Sequence, residues 1–202
     1  MEKKYILLLM LLLIIIISIC LIYRNNNKED TDIKVKYPIY EYYKLNKVIT
    51  ENINYYLKDN IDNYYFLYID YKDYEYKEYI SIVLYISYFT GGAHPNYEIK
   101  TINYNKSTNK FIDIDDIINR DKDILNKLSI YSREYFSNND MFNDKVVFDM
   151  MIDGTKSIKD NYKYFNITSD GLIIYFNRYQ IAPYYYGDYS ITISYNYLNL
   201  SI

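Results

Sequence analysis

Ile80-Ser81-Ile82-Val83-Leu84-Tyr85-Ile86-Ser87-Tyr88-Phe89-Thr90-Gly91-Gly92-Ala93-His94-Pro95-Asn96-Tyr97-Glu98-Ile99-Lys100-Thr101-Ile102 carries the clearest structural signal in this chain. Its first half sets Ile80, Ile82, Leu84, Ile86 and Tyr88 at alternate positions, the period of two that lines apolar side chains along one face of a strand. Gly91-Gly92 and His94-Pro95 break the run, and Tyr97 to Ile102 alternates again. Two strands around so short a glycine-containing connection pair antiparallel.

On the N-terminal side, Phe66 and Tyr68 belong to an earlier strand, and the charges of Asp70-Tyr71-Lys72-Asp73 read as its turn. Before it, Tyr42, Leu45, Ile49, Ile53 and Tyr56 step by three or four, one face of a helix over residues 40–61. On the C-terminal side, Asn105 to Lys110 is a polar turn and Phe111 to Ile114 a short extended edge. Ile124, Leu128, Tyr131 and Tyr135 restore helical spacing, with Asp121 and Asp123 placed to meet the helix dipole. Val147, Met150, Met151, Gly154 and Ile158 suggest one more, shorter helix. Strands then follow at residues 164–167, 172–180 and 189–200, the first two joined by the hairpin signal Asp170-Gly171. The expected class is α+β: a mainly antiparallel sheet packed by about three helices and preceded by one N-terminal transmembrane helix.

That last element comes from Lys3 and Lys4 followed by an unbroken apolar run, residues 5–23, closed by Arg24. A helix of this length reaches nearly ~30 Å, enough to cross a bilayer, whereas cleavable signals have apolar cores of about 7–15 residues. The competing reading is a lipoprotein signal at Cys20, against which stand Ile19 just before the cysteine and Leu21-Ile22-Tyr23 after it. The resulting division is a signal anchor at 1–24, a tether at 25–36 and an exported domain at 37–202. The expected location is the cell membrane, single-pass, with residues 25–202 outside the cytoplasm. Cys20 is the only cysteine, so the exported part is expected to hold without disulfides. A net charge of −3 argues against nucleic acid as a partner. The 31 tyrosines point first to coding bias, and they suit half-exposed pleated surfaces.

Three of the five glycines, both alanines and two of the three prolines fall in Gly91-Gly92-Ala93-His94-Pro95 and Ile181-Ala182-Pro183-Tyr184-Tyr185-Tyr186-Gly187. Small residues concentrated this way mark places where backbone geometry is demanding. Tyr88 to His94, Asn103-Tyr104, Phe111 to Asp116 and Tyr179 to Tyr184, in that order, resemble the exported domain of the anti-sigma-V factor. That domain, of unknown function 3298, also precedes the catalytic domain in certain peptidoglycan deacetylases. The resemblance covers roughly residues 35–200. It implies an α+β fold outside the membrane and, by one role of the family, direct binding of lysozyme. Two departures go with it: only four residues precede the apolar run, so a sigma-binding segment is not expected, and no catalytic domain is expected after Ile202.

Among candidate sites, His94 is the sole histidine, without the further histidines or exported cysteine that a common zinc site needs. Asp113, Asp115, Asp116, Asp121 and Asp123 form the densest carboxylate group, but lack the glycine and closing glutamate of a calcium loop and read as turn and helix-start residues. No serine sits in a Gly-x-Ser-x-Gly elbow. What remains is a surface made by Gly91, Gly92, His94 and Tyr97 with Tyr179, Tyr184 and Tyr185, although the tyrosine triplet reads equally well as core. The expectation is a membrane-tethered binding module, non-catalytic, without metal or cofactor, whose partner is a lysozyme-like protein or peptidoglycan. The alternatives are a sensor or regulatory subunit acting through a membrane partner and a cell-wall glycan hydrolase.

Overall fold

The computed structural model describes residues 13, 15–19, 31–58 and 63–202. The membrane span expected at 5–23 lies mostly outside them. Residues 13 and 15–19 are helical and exposed, and among the described residues no helix is long and apolar enough to cross a membrane.

The chain then forms two sheets and two groups of helices. A mixed five-stranded sheet has the order β1 (Asp32–Val35), β2 (Phe66–Tyr76), β3 (Tyr79–Phe89), β4 (Asn96–Asn105), β5 (Lys110–Phe111), with β1 parallel to β2 and the other pairs antiparallel. Helix α1 (Tyr43–Leu57) lies on one face of it. Leu45, Ile49, Ile53 and Tyr56, the stripe read from the sequence, pack there against Leu67, Ile69, Ile80, Ile82, Leu84 and Ile86. Full burial of each aliphatic side chain contributes about 1.5–3 kcal/mol.

The second half of the chain supplies α2 (Ile114–Arg120), α3 (Ile124–Ser137), α4 (Lys145–Gly154), α5 (Lys159–Tyr162), β6 (Phe165–Ile167), β7 (Leu172–Phe176), β8 (Tyr189–Ile193) and α6 (Tyr195–Leu198). The last three strands form a separate antiparallel sheet in the order β6-β7-β8. Phe165, Ile167, Leu172, Ile174 and Phe176 face a core closed by Ile117, Leu128, Phe136 and Met151 from the helices. Their alternates, Ile173 and Tyr175, face the larger sheet through Val83 and Ile99.

The two sheets meet at a polar seam. Main-chain groups of β6 that point away from β7 bond to side chains of the larger sheet: Phe165 N donates to Thr101 Oγ1 (3.2 Å), Asn103 Nδ2 to Phe165 O (2.9 Å), and Ile167 N to Ser81 Oγ (3.0 Å). The seam satisfies a buried strand edge that would otherwise hold orphan polar groups. Asn166 completes it, donating to Ile82 O (3.1 Å) and accepting from the Tyr175 hydroxyl (3.0 Å).

Several expectations need correction. One sheet with about three helices becomes two sheets with six α-helices among residues 31–202. Within the expected tether, residues 32–35 form β1, because Ile33 and Val35 alternate onto the α1 core. The charged segment Asp70 to Asp73 is strand and not turn; the reversal comes at Lys77-Glu78, with Lys77 at φ 52. From Asp70 onward β2 has no strand partner on its outer side among the described residues, and charge is what an open edge carries. Ile114 starts a helix instead of ending a strand, since Asp113 and Asp116 form a reciprocal capping box. Ile158 precedes α5 and is outside the helix expected from Val147 onward. The last strand stops at Ile193, where Ser194 caps α6.

Candidate functional site

The Gly91–Pro95 turn between β3 and β4 and the segment 177–188 between β7 and β8 come together at one end of the larger sheet. Asn177 Oδ1 accepts a bond from Ile99 N (2.8 Å), which ties the second segment to β4. Gln180 anchors it from behind, its Nε2 donating to Gly154 O and Asn161 O (both 3.0 Å). Between these anchors Tyr179 takes φ 66, a left-handed conformation that a bulky residue adopts only when its surroundings impose it.

Four rings gather in front of this frame. His94 stacks on Tyr184 with centroids 3.8 Å apart and an interplanar angle of 23°. Tyr179 lies 5.7 Å and Tyr97 6.3 Å from Tyr184. The Tyr184 hydroxyl donates to Pro95 O (2.8 Å), and the His94 Nδ1 lies 3.0 Å from the same carbonyl. Because a carbonyl only accepts, these partners assign the ring proton to Nδ1 and leave Nε2 to accept from the Tyr179 hydroxyl at 3.2 Å. Arg178 closes the cluster, its guanidinium carbon 3.7 Å from the Tyr97 centroid and 4.5 Å from that of Tyr184. At such half-buried positions near the surface each cation–π contact is worth about 0.5–1 kcal/mol. Asp188 orients the arginine, accepting from its main-chain N (2.9 Å) and from Nε (3.5 Å).

Of the residues singled out in the sequence, the structure thus joins His94, Tyr97, Tyr179 and Tyr184. Gly91 and Gly92 shape the turn with φ 96 and 117, and the Tyr65 ring lies against Gly91, 3.6 Å from where a Cβ would stand. Tyr185 is outside the cluster. Residues 184–186 form a 3₁₀ turn, whose roughly three residues per turn send consecutive side chains in three directions. Tyr184 enters the cluster, Tyr185 is 74% exposed, and Tyr186 packs partly on the core. Arg178 and Asp188 were not singled out; the available signal was a lone arginine abutting the Tyr179 motif.

The arrangement offers exposed aromatic faces and a cation held in place, and among the described residues no serine or cysteine is bonded to the imidazole. The carboxylates at 113–123 are engaged elsewhere: Asp113 caps α2, Asp121 pairs with Lys127, and Asp123 accepts from Asn126. Among the described residues no group of three or more His, Cys, Asp or Glu is placed to hold a metal ion. On the far face of the sheet, Tyr56 and Tyr88 both donate to Glu98 (2.6 and 2.9 Å). Burial first, and this carboxylate second, push the Tyr88 hydroxyl up to about 12.

Residues 115–196 match the family described as protein of unknown function (DUF3298). The peptidoglycan-N-acetylmuramic acid deacetylase PdaC of Bacillus subtilis (strain 168) is 38% identical over 127 residues, 62% of this chain and 27% of that protein. The chain therefore spans about a quarter of the length of that relative. Among solved structures, a DUF3298 family protein of Pseudomonas aeruginosa PAO1 superimposes with a TM-score of 0.65 at 18% identity, over 84% of this chain and 83% of the other. A DUF3298 member from Bacteroides fragilis NCTC 9343 gives 0.52 at 20%, over 77% and 61%. These two share the fold. The matched region runs from α2 through β8 and includes the 177–188 half of the aromatic cluster, while the Gly91–Tyr97 half lies before it.

Proposed function

From the premise that this chain carries a DUF3298 region at residues 115–196, we propose that it is a binding module of the cell envelope without chemistry of its own, engaging its target through the cluster at the end of the larger sheet. The observation behind this reading is the convergence of His94, Tyr97, Arg178, Tyr179 and Tyr184, from segments far apart in sequence, on one exposed patch. Rigid aromatic side chains beside an arginine are the composition of binding hot spots. The left-handed Tyr179 supports the same reading, since strain of about 1–3 kcal/mol persists where surrounding structure imposes it and clusters at functional positions. The similarity to a peptidoglycan deacetylase, and the resemblance to the anti-sigma-V factor domain, suggest peptidoglycan or a lysozyme-like protein as the target. In this reading residues 5–23 tether the domain to the outer side of the membrane.

Calorimetric titration of the full chain, in mild detergent, with solubilised peptidoglycan fragments and with lysozyme tests the reading. Saturable binding to one of them, weakened at least tenfold by Tyr184→Ala and by Arg178→Ala with the fold intact, is the expected outcome. Binding to neither, or binding indifferent to both substitutions, rejects it.

A further inference from the structure

We infer that the open half of the larger sheet's second face is a platform for a linear, uncharged glycan, seated over Ser87 between Tyr68 and Tyr97; this rests on the binding reading above and names its ligand class. Strand register carries the argument. Tyr68 pairs with Ser87 and Ser87 with Tyr97, so the three stand in one row across β2, β3 and β4. Their sequence neighbours Leu67, Ile86 and Tyr88 belong to the α1 core, so this row points to the opposite face. At ~4.8 Å per strand, the two tyrosines stand about 10 Å apart across a small residue, which makes a trough with aromatic flanks.

The smaller sheet leaves this part of the face uncovered. It packs on Val83 and Ile99, and Tyr85, one pleat nearer the trough, is 40% exposed. On the β2 side Phe66 stacks on Tyr68 at 4.9 Å and on Phe89 at 6.2 Å, which extends the flank lengthwise. On the β4 side Tyr97 continues into Arg178 and Tyr184. An extended ligand therefore finds rings along both sides.

The chemistry of the face limits what that ligand can be. Its open positions on β1 to β4, namely residues 32, 34, 66, 68, 70, 72, 85, 87, 89 and 97, are aromatic or polar throughout, with no aliphatic hydrocarbon side chain. Most of the charges stand in pairs: Asp32 with Lys34 (2.9 Å), Asp70 with Lys36 (3.7 Å), and Asp188 with Arg178 (3.5 Å), while Lys72 lies over the Tyr74 ring, 4.9 Å from its centroid. A face whose other charges are paired gives little advantage to an ionic ligand. Rings that accept the C–H face of a pyranose, next to paired polar groups that exchange hydrogen bonds with its hydroxyls, fit a neutral sugar chain.

The test is calorimetric titration of the full chain, in mild detergent, with a chitin-derived hexasaccharide, beside the peptidoglycan and lysozyme titrations already described. Saturable binding is expected, weakened at least tenfold by Ser87→Tyr, which fills the trough, and by Tyr68→Ala, which removes one flank. Tyr185→Ala, outside the face, is expected to bind as the unaltered chain does. Circular dichroism of each variant confirms folding, and Tyr68→Ala alone suffices should Ser87→Tyr fail to fold. No binding of the hexasaccharide, or equal binding by the folded trough variants, overturns the platform. If peptidoglycan or lysozyme still binds in a Tyr184-dependent way, the platform falls and the envelope reading stands. If the hexasaccharide binds through the trough while neither of the others binds, the reverse holds.

Discussion

Gly154→Ala links the core to the candidate site through a single methyl group. Gly154 ends α4, and a Cβ there would stand 1.9 Å from Gln180 O and 2.7 Å from Gln180 C, both main-chain atoms. Neither can move as a flexible side-chain tip would, so the segment through Gln180 must shift outward. Overpacking of this kind costs about 1–3 kcal/mol. The shift also strains the two bonds from Gln180 Nε2 to Gly154 O and Asn161 O, together worth about 2 kcal/mol. Against this, alanine improves helix propensity by up to about 1 kcal/mol. The net expectation is a loss of about 2–4 kcal/mol, read as a lowered urea midpoint with unchanged slope. Tyr179 adjoins Gln180, so the stack of His94 on Tyr184 is expected to loosen as well. His94 is the only histidine, so its imidazole proton resonances are unambiguous, and they are expected to lose their ring-current shift in the variant. Stability within about 0.5 kcal/mol of the unaltered chain, the range of a neutral surface change, together with unmoved His94 signals, would refute the reasoning.

Asn166→Ala removes a fully buried amide and with it one hydrogen bond each of the Tyr175 hydroxyl, Asn103 Oδ1 and Ile82 O; about 3 kcal/mol of destabilisation is expected in urea, and less than about 1 would dissolve the polar seam as a structural element. Asp113→Ala breaks the capping box of α2 and is expected to cost about 1 kcal/mol by the same measurement. Burial pushes the Tyr162 hydroxyl up to about 12. Between about 10, where tyrosine ionises in an unfolded chain, and that raised value, the unfolded state binds fewer protons, so stability falls as pH rises through the window, by up to about 3 kcal/mol from this residue. Tyr56 and Tyr175, raised further, add to the same slope. Urea midpoints taken from pH 9 upward are expected to decline, and Tyr162→Phe to flatten the decline; a flat profile to pH 12 contradicts the assignment.

The parts of the fold that the sequence revealed are those with one wet and one dry face. Helix α1 and the β3–β4 hairpin show their periods because solvent selects polar residues on the other side. Strand β6, expected at 164–167, is read from a short run before the Asp170-Gly171 hairpin signal and not from a period: its three residues are all buried, with Asn166 polar because it answers the seam. The short helices escape the sequence. At four residues, α5 and α6 complete barely one turn, too little for a period of 3.6 to be seen; Ser194 caps α6, while α5 starts at Ile158 with no capping side chain. The charged half of β2 inverted the usual inference, since the residues that guard an open edge are also those that favour turns.

The candidate site divides along the same physical line. Glycine, alanine and proline report what the backbone demands locally, and so the turn at 91–95 and the segment around Ala182-Pro183 stand out in a chain of bulky residues. Which side chain of Tyr184-Tyr185-Tyr186 faces the site is a different kind of fact. It depends on the rotation of one 3₁₀ turn, which is set by Gly187 at φ 85 on one side and by Ile181 and Ala182 buried in the core on the other. The core and surface readings of that triplet were never exclusive, because one turn supplies a ring to each. The role of Arg178 is more remote still: it depends on Asn177 reaching Ile99 across 78 positions of sequence and on Asp188 closing the loop. Local chemistry therefore marked where the chain is constrained, while long-range packing selected which atoms the constraint presents.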